Sequence, residues 1–128
     1  MSLTRRDFVV KRSSIKGAGK GLFAKVDIQP NTCIGDYTGV IIKGRLEDSA
    51  FAGTDYALEI IEDKYYIVAE GPYCSYTRFI NHKPKKAANV AFWVDPSSKV
   101  AWIESTRKIK KGEELFIDYG PEADLFIE

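Results

Sequence analysis

Short apolar runs separated by turn-forming residues dominate the chain, and helical spacing is scarce. Phe8-Val9-Val10 opens a first strand, and Cys33 to Ile42, rich in β-branched and aromatic residues, reads as a second. Tyr56 to Ile61 and Lys64 to Val68 flank Glu62-Asp63, which predicts a tight hairpin. Asn89 to Asp95 and Val100 to Glu104 flank Pro96-Ser97-Ser98-Lys99, a second hairpin with a longer loop. Leu46 to Ala52 and Tyr76 to Asn81 each offer a helical turn or two, too short to stand alone. The pattern predicts a mainly β fold built from several small β-sheets.

One stretch echoes another. Ile28-Gln29-Pro30-Asn31-Thr32-Cys33-Ile34-Gly35-Asp36-Tyr37 resembles Ile109 to Tyr119, with one extra residue in the second copy. Each has an isoleucine, then Asn or Gly where a turn needs positive φ, then a strand ending in Asp-Tyr. Two turn-plus-strand units explain this without a duplication.

Composition narrows the class. A chain of 128 residues predicts one domain, 1–128, burying roughly two-thirds of its unfolded surface. With 19 basic against 18 acidic side chains the net charge is +1, so no global field attracts nucleic acid or an anionic membrane. Neither direct nucleic-acid binding nor a membrane partner is expected. Lys83-Pro84-Lys85-Lys86 and Arg107-Lys108-Ile109-Lys110-Lys111 read as solvated loops. Cys33 and Cys74 show no CxxC spacing, and there is one histidine, so neither a disulfide framework nor a metal site is expected. No signal-like segment and no run of 18 apolar residues is present, which predicts an intracellular protein.

Three segments carry candidate chemistry. Gly17, Gly19 and Gly21 permit close backbone approach by a ligand. A dinucleotide cradle would need a helix next, whereas Lys25 to Gln29 soon reaches Pro30. Arg78-Phe79-Ile80-Asn81-His82 puts a cation, an amide and the only imidazole within five residues. Gly112-Glu113-Glu114-Leu115-Phe116-Ile117-Asp118-Tyr119-Gly120 is a turn feeding an apolar strand that ends on a phenol. Within it, Glu114 and Asp118 lie about 13 Å apart along a strand. That is too far for an acid–base dyad, and both read as structural. Taken singly, these motifs also fit a mobile glycine turn, a structural histidine and core tyrosines.

Together with Asp36-Tyr37-Thr38-Gly39, in this order and spacing, the segments resemble the SET domain, the β-fold family of S-adenosylmethionine-dependent protein lysine methyltransferases. The resemblance covers about residues 9–120, leaving 121–128 as a short C-terminal tail, and implies a fold with a knot-like C-terminal segment. It implies S-adenosyl-L-methionine held by Gly19, Lys20, Gly21, Tyr56, Arg78, Asn81, His82 and Tyr119. It implies catalytic roles for Tyr119 and Tyr37, and a lysine channel lined by Tyr37, Ile117 and Tyr119. Many members follow the histidine with Ser-Cys and bind zinc with a cysteine-rich tail. Here Lys83 follows, no cysteine comes after Tyr119, and no metal is expected.

The implied partner is a protein or peptide carrying a lysine, on a histone tail or another protein. The location would be nuclear if the target is chromatin and cytoplasmic otherwise. The apolar Leu125-Phe126-Ile127 suggests a tail that covers the channel or forms a homodimer. Two other classes compete: a catalytically weak SET domain acting as a cofactor- or peptide-binding module, and a small β-barrel nucleic-acid binder, which the charge balance disfavours.

The implied chemistry is in-line transfer to a neutral amine. A free lysine is neutral in only about one molecule in 2,500 at pH 7. An apolar aromatic channel answers this by disfavouring the ammonium and aligning the reacting atoms. Ile117 occupies a position where the family often has Phe or Tyr and where the number of methyl groups added is influenced. Lacking a hydrogen-bonding side chain, it hints at room for higher methylation.

Overall fold

In the computed structural model, which describes residues 3–49, 57–62, 64–69, 75–84 and 86–118, the short strands form three separate sheets. β1 (Phe8–Arg12) pairs antiparallel with β2 (Lys20–Ala24), Phe8 opposite Ala24 and Arg12 opposite Lys20. A second antiparallel sheet has the order β4 (Val40–Lys43), β6 (Tyr65–Val68), β5 (Ala57–Ile61). The third has the order β3 (Cys33–Asp36), β9 (Val100–Ser105), β8 (Val90–Asp95), β10 (Phe116–Ile117), β7 (Asn81–His82). β10 runs parallel to both neighbours, Phe116 opposite Asn81 and Ile117 opposite both His82 and Val90. β10 is thus inserted between β7 and β8, in a fold that is mainly β.

None of these strands is long enough to hold itself together, so the core must. Phe8, Leu22, Ile34, Ile109, Leu115 and Ile117 are each no more than 1% exposed, drawn from all along the chain. Burial of each such side chain contributes about 1.5–3 kcal/mol. The two echoing segments meet here: Ile28 and Ile109 exchange backbone hydrogen bonds of 2.7 and 2.8 Å as an antiparallel bridge. Asn31 and Gly112 supply the positive φ expected of their turns, at 60° and 90°.

Two expectations are corrected. Cys33 to Ile42 is two strands, because its halves pair in different sheets: Asp36 opposite Trp102, and Val40 opposite Val68. Tyr37, Thr38 and Gly39 make the crossing, and a Cβ on Gly39 would collide with the Val68 carbonyl. Propensity alone cannot show this break, since both halves favour extended backbone. The two short helices are 3-10 turns, Leu46–Asp48 and Tyr76–Phe79, so Asn81 leaves the helical stretch and enters β7. The second turn is docked on β3, where Tyr76 Oη donates to Ile34 O at 2.6 Å and Thr77 Oγ1 donates to Asp36 O at 2.9 Å.

Replacing Gly39 with alanine should therefore push β4 away from β6. Denaturant unfolding is expected to show a loss of about 1–3 kcal/mol, the usual cost of overpacking. An alanine variant as stable as the wild type would mean that the crossing adapts freely.

Candidate functional site

The turn joining β1 to β2 is closed by its own backbone: Ser13 N donates to Gly19 O at 2.8 Å, and Ala18 N to Ile15 O at 3.1 Å. Gly17 and Gly19 have φ of 82° and 76°, with nothing within 4 Å of where a Cβ would stand. The turn is therefore left-handed and open on that side. Beside it lies a groove of about 410 Å³ lined by Arg12, Ser13, Ile15, Lys16, Gly17 and Gly19. Gly21 is glycine for a different reason: a Cβ there would run into the Glu114 carboxylate.

Glu114 is 5% exposed and is bonded from two sides. Ser13 Oγ donates to its Oε2 at 2.6 Å, while Ser14 N and Oγ donate to its Oε1 at 2.9 and 2.7 Å. Asn81 Nδ2 makes a long contact to Oε2 at 3.5 Å and a stronger bond to Lys20 O at 2.9 Å. Burial alone would push the Glu114 carboxyl up, but donation from Ser13, Ser14 and Asn81 outweighs it and holds the group below the usual carboxylate range. The structural role expected for Glu114 is what these contacts describe. Asp118 serves elsewhere, its Oδ1 lying 4.0 Å from Nδ1 of the largely buried His82.

A second polar joint fixes the same stretch. Asn89 is 1% exposed; its Oδ1 accepts from Phe116 N at 2.8 Å, and its Nδ2 donates to Glu114 O at 2.9 Å and Glu113 Oε2 at 3.0 Å. Sequence reasoning gave no site role to Ser13, Ser14 or Asn89. No local signal marks them, because their partners are 24 to 101 residues away.

The remaining expected residues are spread around this centre. Tyr37 is 4% exposed, its ring edge-on to Phe92 at 5.3 Å, and it helps line a groove of about 400 Å³ with Gly39, Ile41, Val100 and Trp102. Ile117 is 1% exposed and belongs to the core cluster. The Arg78 guanidinium stacks on Phe79 at 4.8 Å and lines a different groove, of about 770 Å³, with Cys33, Asp36 and Tyr76. Cys33 is exposed there, its thiol pushed up by partial burial and by Asp36, so it is not an activated nucleophile. Tyr56, Tyr119, Cys74 and the tail 121–128 lie outside the described residues. Among the described residues no group of three or more His, Cys, Asp or Glu side chains is placed to hold a metal.

Comparison with known proteins agrees with this geometry. The SET domain family model matches residues 19–120. The histone-lysine N-methyltransferase MEDEA of Arabidopsis thaliana is 28% identical, covering 93% of this chain and 18% of that protein. A structure of the Chaetomium thermophilum polycomb repressive complex 2 superposes with a TM-score of 0.73 at 27% identity, covering 88% of this chain and 15% of the other. The same complex in an autoinhibited conformation bound to S-adenosylmethionine gives 0.72 at 26% identity, again over 88% and 15%. The chain thus spans less than a fifth of the length of these relatives.

Because its ionised form is favoured by folding, Glu114 ties stability to pH. Its contribution is present above the ordinary carboxylate pKa and is lost as pH falls through the lower folded value. Unfolding free energy should therefore drop as acid is added below about pH 5, and Glu114→Gln should show a shallower drop. Parallel slopes for the two proteins would show that folding does not lower the Glu114 pKa.

Proposed function

Because the chain belongs to the SET-domain family, we propose that it is an S-adenosylmethionine-dependent protein lysine N-methyltransferase. The proposed target is a lysine on a histone tail or a similar protein, with a nuclear location if that target is chromatin. The relatives support this direction: MEDEA is named a histone-lysine N-methyltransferase, and the polycomb complex binds S-adenosylmethionine. The observation that carries the reading is the bond from Asn81 Nδ2 to Lys20 O, which joins the glycine turn to the Asn-His segment across 61 residues.

The residues present suit the cofactor's amino-acid end. A zwitterion needs a cation for its carboxylate, acceptors for its ammonium and close main-chain approach. Arg12 and Lys16 border the groove, and Gly17 and Gly19 leave its wall free of side chains. The Asn81 amide nitrogen is committed to Lys20 O and Glu114, which leaves its Oδ1 as the acceptor assigned to an ammonium. When bound, the cofactor supplies a methyl group on a positively charged sulfur.

The protein's task is to deliver a neutral amine in line with that methyl. Tyr37, held by Phe92, presents an aromatic wall in which an ammonium is poorly solvated, so the amine is favoured in its neutral form. Tyr119 is assigned the hydroxyl that orients amine and methyl, and His82, Tyr56 and Arg78 are assigned supporting cofactor contacts. Ile117, buried in the core, offers no hydrogen-bonding atom to the amine, and repeated methylation is assigned to the site on that ground.

The purified chain should bind S-adenosylmethionine at about micromolar affinity, and Asn81→Ala should weaken binding by about 1–3 kcal/mol. Titration calorimetry without heat up to millimolar ligand would remove the cofactor. Tyr119→Phe should leave folding and cofactor binding near wild type. It should slow single-turnover transfer roughly 100-fold, about 2.7 kcal/mol of barrier. A Tyr119→Phe protein that methylates at the wild-type rate would take Tyr119 out of the mechanism. Cofactor binding with no transfer to any histone or lysate protein would favour the interaction-module reading.

A further inference from the structure

We propose that Glu114 is a positioning residue for the cofactor site: its buried carboxylate holds the glycine turn and the Asn81 amide in the geometry that receives the ligand. The proposal rests on the cofactor reading above and adds a residue to it that touches no ligand.

The geometry sets this carboxylate apart from an ordinary structural one. Both of its oxygens are bonded at the shoulder of the glycine turn, Oε2 by Ser13 and Oε1 by Ser14, and Oε2 also lies 3.5 Å from the amide of Asn81 on β7. It also fills the space that a side chain at position 21 would take, so the chain folds β2 directly over it. Ser13 Oγ, besides donating to Glu114, accepts from Ile15 N at 3.1 Å, and Ile15 lines the groove beside the turn. The order of the groove wall is thus transmitted from Glu114 through Ser13 to Ile15. At Asn81, a carboxylate within reach of Nδ2 opposes the flipped amide, which would set Oδ1 against a negative oxygen. Lys20 O enforces the same orientation from the other side.

An alternative is that Glu114 only stabilises the fold. The two differ in what Glu114→Gln does. A glutamine keeps the size but turns one acceptor into a donor, which faces either Ser13 Oγ and Asn81 Nδ2 or Ser14 N and Oγ. If Glu114 positions the site, the KM for S-adenosylmethionine should rise about tenfold or more, while kcat at saturating cofactor stays within about threefold. The effect should shrink in an Asn81→Ala background, where the amide is gone, leaving the part carried through Ser13 to Ile15. Ser14→Ala, which removes one donor and spares the charge, should shift KM in the same direction by about threefold and guards against a Glu114→Gln protein that fails to fold.

Amide exchange on the full chain without ligand gives a reading independent of the cofactor. Glu114→Gln should accelerate exchange at Ser14 and Ile15 and broaden or move the Asn81 side-chain NH2 resonances. Faster exchange in a protein that binds no S-adenosylmethionine in either form would uphold the clamp and overturn the cofactor reading. A Glu114→Gln protein with lowered Tm but unchanged KM, unchanged exchange at Ser14 and Ile15, and an unmoved Asn81 amide would overturn the positioning role.

Discussion

A carboxylate taken out of water must be solvated by the protein, and much of this molecule is arranged around meeting that demand at Glu114. Removing such a charge from water costs several kcal/mol unless donors replace the lost hydration. The donors come from Ser13 and Ser14 and, at a longer 3.5 Å, from Asn81, in two segments separated by more than 60 residues. Around the same point, Ala24 N bonds Glu113 O at 3.0 Å, Leu115 N bonds Leu22 O at 2.8 Å, and Asn89 bonds the backbone on both sides of Leu115. The stretch Glu113–Phe116 contains only part of a two-residue strand, yet it is bonded to β2, to the glycine turn and to Asn89. A conservative change here disturbs more than a core methylene would, because each lost donor leaves a buried acceptor unpaired.

The same constraint explains how a ligand site is made from a chain with little regular structure. Turns of left-handed backbone, a two-residue strand and a 3-10 turn are weak elements by themselves. They gain definition from being bonded to one another: the 3-10 turn to β3, Asn81 to Lys20, and the glycine turn to Glu114. Rigidity in the site is thus tertiary in origin.

That origin also decides what could be read in advance. The hairpins and the mainly β character were legible because alternation and turn residues act over a few positions. Asn31 and Gly112 were legible as positive-φ positions for the same reason. The break at Tyr37-Thr38-Gly39 was not, because it depends on Val68 approaching from another sheet. Asn81 was placed at a helix end, since nothing local reveals that it faces Phe116. The motif residues were recognisable through their family pattern. The serines that solvate Glu114 were not, since two serines before a glycine turn look like ordinary turn chemistry. Gly21 shows how a correct choice can conceal its cause: glycine suits a ligand's approach, but here the neighbour that demands it is the protein's own carboxylate.

The insertion of β10 between β7 and β8 carries a consequence for the order of assembly. On the ribosome, Ser13, Lys20 and Asn81 emerge long before residue 114 is made, and β7 and β8 lack the strand that separates them until residue 117 has emerged. Loops closed over such sequence distances are entropically costly and slow to form. The nascent chain must therefore hold Leu22, Ile80 and Val90 without their final neighbours until Leu115 to Ile117 are made. The junction of Ser13, Lys20 and Asn81 with Glu114 is complete only once β10 has slid between β7 and β8.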